Sequence, residues 1–375
     1  MTPLLFSAAL SASLRAAVHL KLEVRLLLSL ARADAAQTLQ PAFSFKARGL
    51  ALFARRARDA HGPAVHLVIA SGGNAALAVA SAAHALAVAC TVYLPVGAAQ
   101  ATLDILRRFG ADVIVAGRFY AEALHAAQLR AAAEPHAVLV PAYDHETLWE
   151  GHASIVAEIA AQLPSKPDAI FCSVGGGGLL GGLIHGCKQA GWDDVPLVAL
   201  ETIGSDCFFH SMALNAGRNA PLPPDVRPVY VPGHDLTLAH FDSFSSRASG
   251  SLGASQPAPG VVKMALSRPG KVVCASVPDE FSMHALAMFA DDHKLLVELA
   301  CATALTPAYK PAFFDRLVPP KASGDTRTVV FIVCGGFKIS LDDAAEYKRL
   351  AEEDRARGGF WNVLMDDGST FGVDK

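Results

Sequence analysis

The sequence predicts an α/β protein of two domains built on parallel sheets. Three observations carry this reading. The chain has 375 residues, enough for two domains with a sizeable core. Between residues 63 and 200, short runs rich in β-formers alternate with helical stretches long enough to be crossover connections. Three apolar runs end in glycine-bearing loops, and in parallel sheets ligands bind at the carboxyl ends of the strands.

Taken in order, the first helix signal lies just past Pro41, since a proline pushes the preceding residue toward extended geometry. Ser44 reads as an N-cap, and Phe45, Gly49 and Phe53 then repeat at helical spacing, so Lys46 falls in the first turn. β-rich runs follow at Val65–Ala70, Cys90–Pro95, Asp112–Ala116, Ala137–Pro141, Ala169–Val174 and Pro196–Leu200. Helices are expected between them at Asn74–Ala89, Gln100–Phe109, Ala121–Ala133, Glu146–Gln162 and Leu179–Gln189. Residues 217–260, rich in Gly, Pro and Ser, read as loops. Beyond them come helices near Asp279–Asp291 and Glu298–Tyr309, an apolar strand at Thr328–Val333 and a charged helix at Leu341–Arg357. The end of the chain, Gly358–Lys375, reads as a flexible appendage without periodicity. There are no internal repeats.

Composition narrows the function classes. Hydrophobic residues make up 52% and charged residues 18%, which excludes a disordered chain. The net charge is −3 and no basic stripe occurs, which argues against nucleic acid as a partner. The seven cysteines form no Cys-x-x-Cys pair, and their odd number speaks for free thiols in a reducing compartment. No apolar run reaches the roughly 18 to 20 residues of a membrane span. Arg15, Arg25 and Arg32 with few acids before Glu23 have the composition of a transit peptide.

A lysine in the first helical turn opposes the helix dipole. Lys46 is therefore either an exposed, tolerated lysine or an amine with a lowered pKa, able to act as a nucleophile; nothing local decides. Ser71-Gly72-Gly73-Asn74-Ala75 follows a strand and opens a helix, offering free amides and two polar side chains to an anion, or else forming a plain strand-to-helix turn. Gly175-Gly176-Gly177-Gly178-Leu179 is entropically expensive, a cost that makes sense if consecutive amides wrap a phosphate. No Gly-Lys-Ser/Thr follows, so it is not a Walker loop, and Glu201 sits poorly for a dinucleotide fingerprint. Val333-Cys334-Gly335-Gly336 places a thiol at a strand end, which in isolation is most simply structural. Together these pieces fit a phosphorylated aromatic aldehyde: an amine, a phosphate cup and polar partners for the ring.

On these residues the chain resembles the catabolic L-serine/L-threonine dehydratases, which are fold type II pyridoxal-phosphate enzymes. The motifs are Thr2-Pro3-Leu4, Ser44-Phe45-Lys46-Ala47-Arg48-Gly49, Trp149-Glu150-Gly151-His152, the glycine run, Leu200-Glu201-Thr202, Val297-Glu298 and Val333-Cys334-Gly335-Gly336. They extend from Thr2 to about Arg349. Threonine deaminases and serine racemases usually carry His where Ala75 stands and Ser where Cys334 stands, so the serine-dehydratase branch is the better match. The resemblance implies two three-layer α/β/α domains with mostly parallel sheets: a large one from 1–42 and 145–375, with 358–375 a flexible tail, and a small one from 43–144. It implies pyridoxal 5′-phosphate contacted by Phe45, Lys46, Asn74, Gly175, Gly176, Gly177, Gly178, Leu179 and Cys334, with Lys46 as catalytic residue. Ser71, Gly72, Asn74 and Ala75 would take the substrate carboxylate. A monovalent cation, potassium, would lie near Glu201, Ser205 and Cys207. The implied activity is dehydration of L-serine, and of L-threonine, in amino-acid catabolism and gluconeogenesis. The implied form is a cytoplasmic homodimer without nucleic-acid or membrane partners, since a match beginning at Thr2 leaves no room for a leader. Another β-eliminating enzyme of this fold, or a catalytically impaired cofactor-binding relative, are the alternatives.

Four departures bear on the alternatives. Phe43 stands where the family has glycine, and Leu299 and Ala302 interrupt its Glu-Pro-Ala-Cys-Gly. Phe337 and Lys338 replace Ser-Asn after the thiol loop. Residues 24–37 interpose between two matching segments, Leu20-Lys21-Leu22-Glu23 and Thr38-Leu39-Gln40-Pro41. Valine codons begin with GT and one glutamine codon ends in AG, so this segment reads as a retained intron, against a genuine surface loop. A second misfit near 221–240 has the same reading.

Overall fold

The computed structural model describes residues 1–24, 42–118, 120–217 and 222–375. The insertion read at 24–37 therefore lies outside the described residues except for Val24, which is buried. The strands are β1 (Leu4–Phe6), β2 (Ala16–Leu22), β3 (His66–Ala70), β4 (Ala89–Leu94), β5 (Asp112–Val115), β6 (Ala137–Leu139), β7 (Ala169–Ser173), β8 (Leu197–Thr202), β9 (Val226–Val231), β10 (Leu236–Phe241), β11 (Val272–Val277), β12 (Arg327–Val333), β13 (Phe360–Met365) and β14 (Thr370–Asp374).

They form two α/β sheets and a hairpin. A parallel four-stranded sheet has the order β5-β4-β3-β6. An eight-stranded sheet has the order β1-β2-β12-β7-β8-β11-β13-β14. Its neighbours from β2 to β11 pair in parallel, whereas β1, β13 and β14 join antiparallel at the edges. The alternation of β3 explains its two coats. Leu67 and Ile69 pack into the main core with Leu50 and Leu77, while Val68 and Ala70 pack with Ala123 and Ala127 on the opposite side. In the larger sheet β7, β8 and β11 are buried along their whole length, as expected of parallel strands covered on both faces. Phe171 and Phe331 stack at 4.3 Å across β7 and β12.

The helix Lys46–His61 meets the helix Glu146–Gln162 at glycines. A β-carbon on Gly151 would lie 2.6 Å from the Cα of Gly49. The same central helix meets Gly178–Gln189, where a β-carbon on Gly182 would strike His152. A buried ion network locks the first pair. Arg48 donates from Nε and Nη2 to Glu23 at 2.8 Å, and from Nη1 and Nη2 to Glu158 at 2.8 Å. Lys21 reaches Glu158 at 2.7 Å and the carbonyl of Thr2 at 2.7 Å. Burial pushes the Glu158 carboxyl up, but hydrogen bonds from Arg48 and Lys21 outweigh it and hold the group well below the usual carboxylate range.

Three expectations are corrected. Residues 217–260 are not all loop: β9 and β10 form a hairpin, and helices span Ser249–Leu252 and Pro259–Ser267. The helix expected over Glu298–Tyr309 is broken into Leu299–Thr303 and a 3-10 turn, Thr306–Tyr309. Residues 358–375 are not a flexible tail: β13 and β14 close the edge of the large sheet beside β11. Trp361 is 2% exposed, stacks on Phe281 at 4.5 Å and donates from Nε1 to Asp354 at 2.8 Å.

Trp361→Ala is expected to destabilise the protein by about 3–5 kcal/mol in denaturant unfolding. A loss within about 0.5 kcal/mol, as for an exposed surface position, would return these residues to the status of an appendage.

Candidate active site

Lys46 opens the helix Lys46–His61. Ser44 does not cap it: the N-cap is Phe45 without a side-chain bond, and the Ser44 hydroxyl is buried with no partner among the described residues. Among the described residues Lys46 Nζ makes one hydrogen bond, a long one of 3.5 Å to the carbonyl of Ala142, and it lies 5.0 Å from the Phe45 ring centre. Burial pushes the amine down to about 8, with Cys334 and Glu298 pulling the other way. The amine is thus electrostatically in touch with the thiol loop. His152, under the Phe45 ring at 4.9 Å, is held well below its usual value by burial and then by Lys46 and Arg48, so it stays neutral.

The glycine run leaves β7 and enters the helix Gly178–Gln189. Its glycines answer two demands. A β-carbon on Gly175 would lie 2.8 Å from the carbonyl of Leu252, and one on Gly176 would strike the Tyr143 ring. Gly177 has φ +91°. Close packing alone would explain the missing side chains, but not the amides. No hydrogen bond among the described residues takes up the N–H of Gly175, Gly176, Gly177, Gly178 or Leu179. Five successive free donors leading into a helix N-terminus match a phosphate.

The Ser71–Ala75 loop leaves β3. Ser71 Oγ accepts from Gly73 N at 3.2 Å, and the amides of Gly72, Asn74 and Ala75 have no acceptor among the described residues. The Asn74 side chain is engaged: Nδ2 donates to Glu298 at 3.0 Å and Ser251 at 3.3 Å, and Oδ1 accepts from Phe337 N at 3.2 Å. Cys334, at the end of β12, lies 3.4 Å from Ser173 Oγ. A hydrogen bond with Cys301, then one with Ser173, draws its thiol below the usual value. The backbone at Ser44 bridges Gly335, so the lysine turn and the thiol loop are one piece. Phe43 in this bridge has φ +61°, a strained conformation for any residue but glycine.

Glu201, Ser205 and Cys207 surround the loop that leaves β8, and the Ser205 hydroxyl is buried with no hydrogen-bond partner among the described residues. Glu201 caps the helix Cys207–Asn215, accepting from Phe208 N at 3.0 Å and Phe209 N at 2.6 Å, while Cys207 Sγ faces the carbonyl of Gly175 at 3.7 Å. Burial, then Asp206, pushes the Glu201 carboxyl well up, which favours its neutral form. Among the described residues no group of three or more His, Cys, Asp and Glu side chains could hold a metal. Sequence reasoning missed Tyr143 beneath the cup and the role of Glu298, which accepts from Asn74, Ser251 and Lys338 N. Glu298 had one signal: an acid following an apolar strand-like residue and preceding an apolar run needs donors once buried.

The arrangement as a whole offers a largely buried amine and an amide cup without close partners among the described residues, a thiol and a second amide loop. It fits a phosphorylated aldehyde that the amine can hold. Comparison with known proteins agrees. A model of the pyridoxal-phosphate dependent enzymes matches residues 1–335. The human L-serine dehydratase/L-threonine deaminase is 34% identical over 352 residues, covering 94% of each chain. The mouse protein named serine dehydratase-like is 35% identical over 348 residues, 93% of each. Among solved structures, a fungal L-serine ammonia-lyase from Rhizomucor miehei superposes with a TM-score of 0.77 at 30% identity, over 93% of this chain and 97% of that one.

Two measurements probe the site without cofactor. Lys46 has a folded pKa below its unfolded value, so the charged amine costs stability below about pH 8, and the cost vanishes as pH rises toward 10.5. Lys46→Met should therefore stabilise the cofactor-free protein at pH 7 by something on the order of 3 kcal/mol, and the gain should shrink to near zero by pH 10.5. A pH-independent difference would refute the buried amine. At the strained bridge, Phe43→Gly should be more stable than Phe43→Ala by about 1 kcal/mol, because both lose the same ring but only glycine accepts the backbone. Equal stabilities in urea unfolding would refute the strain.

Proposed function

The chain belongs to the family of pyridoxal-phosphate dependent enzymes, and from that premise we propose that it is an L-serine dehydratase that also takes L-threonine. The products are ammonia with pyruvate or 2-oxobutanoate. The observation that carries the reading is the Lys46 amine, lowered to about 8 by burial and, among the described residues, with no hydrogen-bond partner nearer than 3.5 Å. Such an amine is both a nucleophile and a base near neutral pH.

In this reading Lys46 would hold the cofactor covalently, the amides from Gly175 to Leu179 would hold its phosphate, and Phe45 and the Cys334 thiol would be its ring partners. When bound, pyridoxal phosphate supplies an electron sink for the bond broken at the substrate α-carbon. The amides of Gly72, Asn74 and Ala75, with Ser71 Oγ, take the substrate carboxylate. That contact turns the α-hydrogen toward Lys46 Nζ. Lys46, once freed by the substrate amine, would accept the α-proton, and the β-hydroxyl would leave as water on taking a proton back from the Lys46 ammonium. A thiol does not readily protonate a pyridine nitrogen, which favours rapid elimination over slower alternatives. Water then releases ammonia from the enamine product, so that serine yields pyruvate and ammonia with no net gain or loss of water. Asn74 would reach the cofactor oxygen by giving up its bond to Ser251. We also take 43–144 as the small domain and expect a cytoplasmic homodimer. In support of a reducing compartment, all seven cysteines are free and buried.

The test is direct. The reconstituted protein should convert L-serine to equal amounts of pyruvate and ammonia, and Lys46→Ala should lower kcat by at least about 10²-fold, the lower range of general base catalysis. Borohydride should fix the cofactor on Lys46, read by peptide mass. Cofactor binding without pyruvate from serine or 2-oxobutanoate from threonine would overturn the substrate assignment.

A further inference from the structure

After Cys334-Gly335-Gly336 the chain leaves the end of β12 and crosses toward the Ser71–Ala75 loop. Its main chain is fixed there at successive residues. Gly336 N donates to the carbonyl of Phe43 at 2.8 Å, Phe337 N to Asn74 Oδ1 at 3.2 Å, and Lys338 N to Glu298 Oε1 at 2.8 Å. The Lys338 side chain is thereby aimed at the loop. A β-carbon on Gly73 would lie 3.0 Å from both its Cε and its Nζ. The ammonium donates one hydrogen bond, to the carbonyl of Gly250 at 3.0 Å, and among the described residues it forms no ion pair with a carboxylate. The acid nearest in effect, Glu298, has its oxygens occupied by Asn74, Ser251 and the Lys338 main chain. A solvent-facing ammonium with donors to spare therefore rests against the loop whose free amides suit a carboxylate.

We propose that Lys338 is a substrate-positioning residue, whose ammonium supplies the formal positive charge opposite the α-carboxylate of the amino acid. The proposal deepens the dehydratase reading above and rests on it. Neutral amides give a carboxylate hydrogen bonds but no net charge. A lysine adds a point charge on a flexible stem that can follow the ligand. Because the carboxylate stays charged throughout the reaction, the interaction is the same in ground and transition states and shows in KM, not in kcat. It also sets a substrate class: amino acids with a free carboxylate are preferred over their amides.

Steady-state kinetics of the holoenzyme with L-serine and with L-serinamide test this. In Lys338→Met, KM for L-serine should rise by about tenfold, the effect of one removed charge contact. The kcat should stay within about threefold, and the preference for L-serine over L-serinamide should fall by a similar factor to KM. Lys338→Arg should restore most of the affinity. Lys338→Gln separates charge from tether, since its amide can still donate to Gly250 but carries no charge; it should behave like the methionine variant. An unchanged KM in Lys338→Met, or full recovery in Lys338→Gln, would overturn the proposal and leave the residue a tether for Gly250. A parent enzyme that turns over L-serine while either result is obtained refutes this proposal alone. A parent that turns over no hydroxy amino acid refutes the dehydratase reading, and this proposal falls with it.

Discussion

The placement of Lys46 depends on Arg48, one half-turn further along the same helix. Its guanidinium is gripped by two carboxylates from two directions, Glu23 at the end of β2 and Glu158 on the helix Glu146–Gln162. Both acids are bound by the planar fork that only arginine offers. Breaking one member of such a buried set typically costs about 3–5 kcal/mol, because its partners stay buried and charged. The network also offsets a local penalty: a lysine at the positive end of a helix is not where helix electrostatics would put it. What the local dipole disfavours, the long-range ion network holds in place.

Around that fixed point, the cleft is assembled from strand ends. The loop after β3 brings Ser71 to Ala75, the loop after β7 brings the four glycines, and the loop after β12 brings Cys334 to Lys338. All three strands are parallel members of their sheets, so their carboxyl ends open on the same side of each sheet. The sheets are joined by polar contacts at the cleft itself, Asn74 to Glu298 and Phe337 to Asn74. Residues separated by more than two hundred positions in sequence thus meet at a handful of hydrogen bonds, a modest connection compared with the apolar cores behind it.

The parts of this site that were legible in the sequence are those that break a local rule. Four successive glycines after a buried strand, and a lysine in a first helical turn, both cost something locally and so advertise a purpose. The alternating elements between 65 and 200 were legible for the opposite reason: local pattern and tertiary structure agree there. What could not be read is set by distant partners. Nothing near Tyr143 says that its ring lies under Gly176, and nothing near Lys338 says that it meets Gly73. Ser44 looked like a cap because its type and position were right, yet the bridge to Gly335 turns the backbone away. The final hairpin is a different case. Trp361, Val363 and Met365 alternate inward and Asp367-Gly368 marks a turn, so its signal was present in short form and was outweighed by the glycines around it. Pro228 disguised β9, which among the described residues pairs with β10 alone, so that a missing amide is tolerated.

The glycine seats of the central helix have a mechanical meaning. The helix that begins with Lys46 and the helix that begins at the cup both rest on Glu146–Gln162 through main-chain contact, at Gly49 with Gly151 and at Gly182 with His152. Side chains are springs with several rotameric settings; backbones pressed together have almost none. The gap between amine and cup is therefore machined to a close tolerance, with one helix serving as the gauge block. The two helices and the one between them thus form a jaw set by backbone contact at its glycines, not by interchangeable side chains. A single methyl group added at Gly151 would act as a shim, widening the jaw without touching any group that does chemistry.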